Sequence, residues 1–176
     1  MPTSEELCAL CSHPPCTIPH LVHQFWHTER PPATVMPLVA RWINATQRNG
    51  ESVHHHMWND ADTRVLWKQH MPHLLSMYDA FTEPVMRADA SRLLYMHVHG
   101  GIWADLDTAP CNSSSLWDTI EQQNRTLVLI RDPALGNKGD EQPPSTFFYA
   151  SAPGHPFWGH ALRTLAARMA SNVRIS

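Results

Sequence analysis

RADASRLLYMHVHGGIWADLDTAP, residues Arg87 to Pro110, decides how this chain folds. Its first part belongs to a helix that the sequence places from Pro84 to His99. Met86, Ala90, Leu93, Leu94 and His97 recur on one face of a 3.6-residue period. Gly100-Gly101 ends that helix, because glycine takes the left-handed conformation of a helix C-terminus at no steric cost. IWADLDT then alternates: Ile102, Ala104 and Leu106 point one way, and Trp103, Asp105 and Asp107 the other. A helix, a glycine turn and a short strand that delivers carboxylates make up half of an α/β unit.

The flanking sequence repeats the pattern. Upstream, IPHLVHQFWHT (Ile18–Thr28) reads as a buried strand carrying Leu21, Val22, Phe25 and Trp26, stopped by Pro31 and Pro32. Met36 to Asn49 forms a helix with Leu38, Val39, Trp42 and Ile43 on one side. SVHHHMWND (Ser52–Asp60) is a second strand, and Asp60 or Asp62 caps the helix Thr63–His70 after it. Downstream, TLVLIRD (Thr126–Asp132) and STFFYAS (Ser145–Ser151) are strands separated by a polar loop, Pro133–Pro144. Pro156 to Ala170 is a last helix, with Phe157, Ala161, Leu162 and Leu165 inward. Strands alternating with helices imply an α/β domain over residues 18–176, with a mostly parallel central sheet flanked by helices. Residues 1–17, Pro-rich and aperiodic, form a leader.

Composition narrows the function classes. The chain has 176 residues, enough for about one domain. Apolar residues are 43% and charged residues 16%, which excludes a disordered chain. Thirteen Lys and Arg against sixteen Asp and Glu leave −3, so no basic excess exists to bind a phosphate backbone, and nucleic acid is not an expected partner. No run approaches the ~18 apolar residues of a membrane span. The first residues lack the basic start and apolar run of a signal peptide. Cys8, Cys11 and Cys16 lack the second paired half of a zinc site, so disulfides or free thiols are expected there, and Cys111 stands alone. Sequons at Asn44, Asn112 and Asn124 favour a lumenal location.

The chemistry concentrates around the quoted stretch. Asp105 and Asp107, two apart on a strand, share a face roughly 6.5–7 Å apart. They stand at the strand's C-terminal end, where α/β sheets bind ligands. Two hard oxygen donors there suit Mg²⁺ or Mn²⁺; the bland alternative is a pair of solvated aspartates in a turn. Asp89 and Arg92 lie three apart on the preceding helix. As a surface ion pair they contribute only about 0.3–0.5 kcal/mol. As functional groups they offer a carboxylate to sugar hydroxyls and a guanidinium to phosphate or sugar. Neither G-x-S-x-G nor G-x-x-x-x-G-K-[ST] occurs, so serine hydrolysis and that class of phosphoryl transfer have no signal.

R-A-D-x-x-R-x7-G-G-I-x-x-D-x-D-T resembles the core of the D-x-D glycosyltransferases related to the yeast Golgi initiating α-1,6-mannosyltransferases and inositolphosphoceramide mannosyltransferases. IPHLVHQFWHTERPP is similar to that family's opening I-P-x-x-I-H-Q-x-W strand, HHHMWND, slightly altered, to its Y-x-x-x-x-W-x-D segment, and Ser151-Ala152-Pro153-Gly154-His155-Pro156 to its A-x-P-G-H-P turn. The resemblance covers Ile18 to Arg168. It implies a GT-A-like, Rossmann-like nucleotide-sugar-binding fold, with a catalytic domain incomplete at its C-terminus. It implies transfer of a hexose, mannose favoured, from a nucleotide sugar to a hydroxyl of a glycan or glycolipid, with retention. The donor is GDP-mannose, with UDP-hexoses as the alternative. By position, Asp105 and Asp107 resemble the pair that holds the Mn²⁺ or Mg²⁺ and the nucleotide. Trp26 resembles the tryptophan on which the base stacks. Asp89 and Arg92 resemble the pair that contacts the donor sugar, Arg92 adding fixed positive charge. Trp58 and Asp60 line the same pocket, or Trp58 belongs to the core, and His155 is a turn residue. The family implies a Golgi or other secretory lumen, and membrane contact only through an anchor outside this stretch of chain. Two rival readings are a binding module of the same fold without turnover, and a metal-binding protein built on its thirteen histidines, with the His54–His56 tract among them.

Overall fold

The structure, a computed structural model, describes residues 17–45, 47–48, 51–52, 54–111, 113–122, 124–131 and 144–172. The expected leader and the expected polar loop over 133–144 lie outside these residues except for Thr17 and Pro144, as do Cys8, Cys11, Cys16 and Asn112.

LVHQF forms β1 (Leu21–Phe25), shorter than the expected Ile18–Thr28, and four of its five residues are buried. It is followed by α1 (Met36–Ala45), a small antiparallel pair of β2 (Gln47–Arg48) and β3 (Glu51–Ser52), and β4 (His54–Trp58). The small pair takes the place of the last turn of the helix expected to reach Asn49. Then come α2 (Asp60–His70), a short 3-10 turn Pro72–Leu74, α3 (Leu75–Asp79), α4 (Pro84–Val98) and β5 (Gly101–Ala104). The chain continues through α5 (Ser113–Gln122), β6 (Leu127–Arg131), β7 (Pro144–Ser151) and α6 (Pro156–Asn172).

The main sheet has the order β4-β1-β5-β7-β6. β1 runs parallel to both β4 and β5, but β7 is antiparallel to both β5 and β6. The sheet is therefore mixed, not mostly parallel. A parallel return needs a crossover of a dozen or more residues, usually a helix. The sequence between β6 and β7 is polar and Pro-rich, with no helical period, so β7 returns beside β6 and separates it from β5.

Helices cover both faces. On one face Trp67, Tyr78, Leu94, Tyr95 and Trp158, from α2, α3, α4 and α6, pack on Phe25 and Trp103. On the other, Trp42 of α1 and Trp117 and Ile120 of α5 pack on Val22, Ile102 and Ala104. Each large apolar side chain buried this way contributes about 1.5–3 kcal/mol. The predicted alternation of β5 holds for Ile102, Trp103 and Ala104, but all four strand residues are buried because both faces are covered.

Three local expectations change. Asn59, not Asp60 or Asp62, caps α2: its Oδ1 accepts the Asp62 N–H at 2.9 Å, and Asp60 and Asp62 fall in the first helical turn. α4 buries Ala90, Ser91, Arg92, Leu94, Tyr95 and Met96, while Met86 is 49% exposed. The sheet covers one flank of α4 and α6 the other, which widens the buried arc beyond the apolar stripe. In α6, Trp158 and Leu162 face inward and Phe157 is exposed; the Trp158 indole donates to Ser151 Oγ at 2.8 Å. Gly100 and Gly101, by contrast, act as expected, with φ of +64° and +86°. A Cβ at Gly100 would meet Pro153 N at 2.5 Å, and one at Gly101 would collide with the Leu21 carbonyl.

Candidate functional site

Parallel strands end together. The register pairs Phe25 with Trp58 and His23 with Trp103, so Trp26, Asn59 and Asp105 leave the sheet along one edge. The strand β5 stops at Ala104, and Asp105 to Asp107 form a turn beyond it. The two aspartates are thus not side by side on a strand. Asp105 is half-buried against α4, and Asp107 is exposed.

Arg92 reaches this edge from α4. Its side chain is only 7% exposed. One guanidinium nitrogen, Nη2, donates to Asp89 Oδ1, and the other, Nη1, donates to the Thr146 carbonyl on β7. Nη1 also lies 3.5 Å from Asp105 Oδ1, and the guanidinium carbon sits 5.1 Å over the Trp103 ring. Trp103 Nε1 donates to Asp105 Oδ1 at 2.8 Å. The intrahelical pair read from the sequence therefore exists, but it is buried at its arginine end and extends to the D-x-D turn. Burial raises the Asp105 carboxyl above its ordinary range; Arg92 and the Trp103 indole pull it back, and Asp107 and Asp89 add repulsion.

The donor set fits a divalent cation shared with phosphate. Asp89 and Asp105 face one buried guanidinium and the exposed Asp107 adds its charge beside Asp105, so the local balance is negative. Among the described residues no three His, Cys, Asp or Glu side chains form a metal cage. Mg²⁺-type ions are commonly held by one or two carboxylates plus substrate phosphates rather than by a full protein cage.

The other candidates separate. Trp26 is half-buried just past β1, its ring 4.7 Å from the His27 ring, and its backbone N–H donates to the Trp58 carbonyl at 2.9 Å. Trp58 is core: it stacks on Tyr95 at 4.5 Å and 10°. Asp60 turns to Arg87 Nη1 at 2.8 Å and Tyr78 OH at 3.4 Å, tying α2 to α3 and α4. His155 is the turn residue expected; its Nδ1 accepts the Phe157 N–H at 3.2 Å and caps α6. His54, His55 and His56 alternate exposed, intermediate, exposed along β4. A cavity of about 320 Å³ opens beside the D-x-D turn, lined by Trp42, Thr108, Pro110, Phe147 and Phe148. A larger one, about 400 Å³, lies by His20, Glu121 and Arg125 at the far pole, away from the carboxylates.

Sequence reasoning missed His23 and Gln24, both fully buried. Trp58 Nε1 donates to His23 Nδ1 at 2.9 Å, which sets the tautomer so that Nε2–H donates to the Gly100 carbonyl at 2.8 Å. Burial holds His23 neutral, its pKa lowered to about 3. Gln24 Oε1 accepts from His55 Nε2 at 2.8 Å. The signal was present: a polar His-Gln pair inside an apolar strand must find partners once both faces are covered.

Comparisons with known proteins give the family and the fold. Residues 32–127 match the family described as "Glycosyltransferase sugar-binding region containing DXD motif". The chain is 28% identical over 159 residues to "Inositol phosphoceramide mannosyltransferase 3" of Schizosaccharomyces pombe, covering 88% of this chain and 39% of that protein. It is 27% identical over 167 residues to that organism's "Initiation-specific alpha-1,6-mannosyltransferase", covering 84% and 39%. The chain thus spans about two-fifths of the length of these relatives. Among solved structures, "PaToxG Glycosyltransferase" superposes with a TM-score of 0.57 at 14% identity, over 92% of this chain and 64% of that one. That likeness shows the fold, a GT-A-like α/β arrangement with a mixed sheet.

Proposed function

The chain belongs to the family of glycosyltransferase sugar-binding regions containing a DXD motif, and on that premise we propose that it transfers a hexose, mannose favoured, from a nucleotide sugar to a hydroxyl of a glycan or glycolipid. One observation carries the reading: the D-x-D turn, the buried Arg92 and the exposed Asp89 meet at the sheet edge from which Trp26 also emerges.

In the reaction the bond between the anomeric carbon and the diphosphate oxygen breaks. A bond to the acceptor oxygen forms on the same face of the sugar, and the acceptor proton passes to the departing diphosphate. Asp105 and Asp107 would hold a Mn²⁺ or Mg²⁺ ion, which would supply Lewis-acid stabilisation of the departing diphosphate. Asp105 is oriented for this by Trp103 Nε1 and Arg92. Arg92 contributes a fixed positive charge that needs no reorganisation as negative charge develops. Asp89, 59% exposed at its side chain, presents a carboxylate to donor-sugar hydroxyls. Trp26 offers the base a stacking face, which suits any nucleobase. GDP-mannose is the favoured donor and the secretory lumen, the Golgi in particular, the favoured location. Among the described residues no helix is long and apolar enough to cross a membrane.

The test is calorimetry with Mn²⁺ and GDP, followed by Mn²⁺-dependent turnover of GDP-mannose. Wild type should bind, and Asp107→Ala should abolish metal-supported binding. Equal binding by the variant would remove the assignment. Binding without any hydrolysis or transfer would leave a nucleotide-sugar-binding module.

A further inference from the structure

We infer that Thr108 is the positioning residue for Asp107, with Trp42 holding the same turn from behind; this rests on the metal-binding reading of the two aspartates. The two carboxylates are placed by different means. Asp105 is gripped through its side chain, by Trp103 Nε1 and Arg92. Asp107 is exposed, and among the described residues its side chain makes no hydrogen bond or ion pair. The place from which the Asp107 side chain projects is therefore set by the backbone of the turn.

That backbone is tied to β7 by the Asp105 N–H, which donates to the Phe147 carbonyl at 3.0 Å, and it is closed at the Asp105 carbonyl oxygen. That oxygen accepts the Thr108 N–H at 3.1 Å, which closes the turn Asp105–Thr108, and the Thr108 hydroxyl at 2.6 Å. Gln24 Nε2 approaches it at 3.5 Å from β1. The Thr108 carbonyl in turn accepts the Trp42 indole N–H at 3.0 Å, and Arg41 Nη2 donates to the Pro110 carbonyl at 2.8 Å. The hydroxyl of Thr108 fastens the turn to itself, and α1 fastens it to the body of the protein. A valine at 108 keeps the shape of the side chain and loses the donor; a serine keeps the donor.

Groups that orient a metal ligand typically alter metal affinity by about 10–100-fold when removed. For Thr108→Val, Mn²⁺-supported GDP affinity should fall about tenfold or more, with metal-free GDP affinity unchanged. Thr108→Ser should stay within about twofold of wild type, and Trp42→Phe should show a smaller loss than Thr108→Val. In the metal-free protein, exchange of the Thr108 amide should quicken about tenfold in Thr108→Val and not in Thr108→Ser. Metal-supported affinity in Thr108→Val within twofold of wild type, or Thr108→Ser as weak as Thr108→Val, overturns the inference. An unchanged exchange rate in Thr108→Val overturns it whatever the metal does. If wild type and Asp107→Ala alike show no metal-supported affinity, the metal reading fails instead, and the exchange rates still decide whether Thr108 holds the turn.

Discussion

Arg92→Ala is the perturbation whose cost the structure changes most. As a surface pair, Asp89 and Arg92 would be worth about 0.3–0.5 kcal/mol. In the fold the Arg92 side chain is 7% exposed, while Asp105 is 30% and Asp89 59% exposed. Breaking a fully buried pair costs about 3–5 kcal/mol. Asp89 can rehydrate in the variant, so its share of that cost is small. Asp105 cannot rehydrate fully, and the Thr146 carbonyl loses a charged donor, a loss of about 1–3 kcal/mol. Removing the guanidinium from the Trp103 ring takes away about 0.5–1 kcal/mol more. These losses overlap, and together they amount to about 2–4 kcal/mol. At about 2–4 °C per kcal/mol for a chain of this size, the melting temperature should fall by roughly 5–15 °C.

The pH dependence gives a second readout. Asp105 already has a raised folded pKa, and Arg92 is among the groups that lower it. Without Arg92 it rises further. A carboxyl with a raised folded pKa costs stability when ionised, so the penalty is full above that pKa and vanishes below the ordinary carboxyl range. The stability gap between wild type and Arg92→Ala should therefore be largest at neutral pH and shrink towards about pH 4. Urea denaturation at both pH values measures it. A gap under about 1 kcal/mol at pH 7, or one that does not shrink on acidification, would refute the reasoning.

Trp26→Phe should remove most of the tryptophan quench caused by nucleotide, because Trp58 and Trp103 are buried in the core and Trp26 stands at the edge; unchanged quenching would move the base site away from Trp26. His23, with a pKa lowered to about 3, should make the fold acid-sensitive: stability is complete above about pH 6.5 and falls on the order of 3 kcal/mol by pH 4. His23→Gln, which can keep a donor and an acceptor without titrating, should flatten that profile, and a profile of unchanged slope would show that the acid sensitivity lies elsewhere.

Much of this protein was legible in one dimension. The helical period from Pro84, the glycine pair and the short apolar strand are local features. Glycine at 100 and 101 suits their left-handed φ, a local requirement; that a Cβ at either would also meet Pro153 or Leu21 is visible only in the fold. The motif residues Asp89, Arg92, Asp105 and Asp107 could be picked out because their types and spacing are written along the chain. Asn59 was missed as the cap of α2 since Asp60 and Asp62 carry equally good capping chemistry, and only backbone geometry selects among them.

What the chain order could not supply is anything decided between distant segments. The antiparallel insertion of β7 beside β5 depends on which edge a returning strand meets. Arg92 reads as a surface residue until β7 and the sheet close over it, and burial then turns a weak ion pair into a buried charge held by three partners. His23 and Gln24 become linkers only when β4 and β5 flank β1. The sequence by itself determined the periodic elements and the presence of the D-x-D chemistry, because both rest on local sterics and residue type. The tertiary structure decided strand direction, which charges are buried and which groups hold the turn, because burial and hydrogen-bond partnership are set by neighbours far apart in sequence.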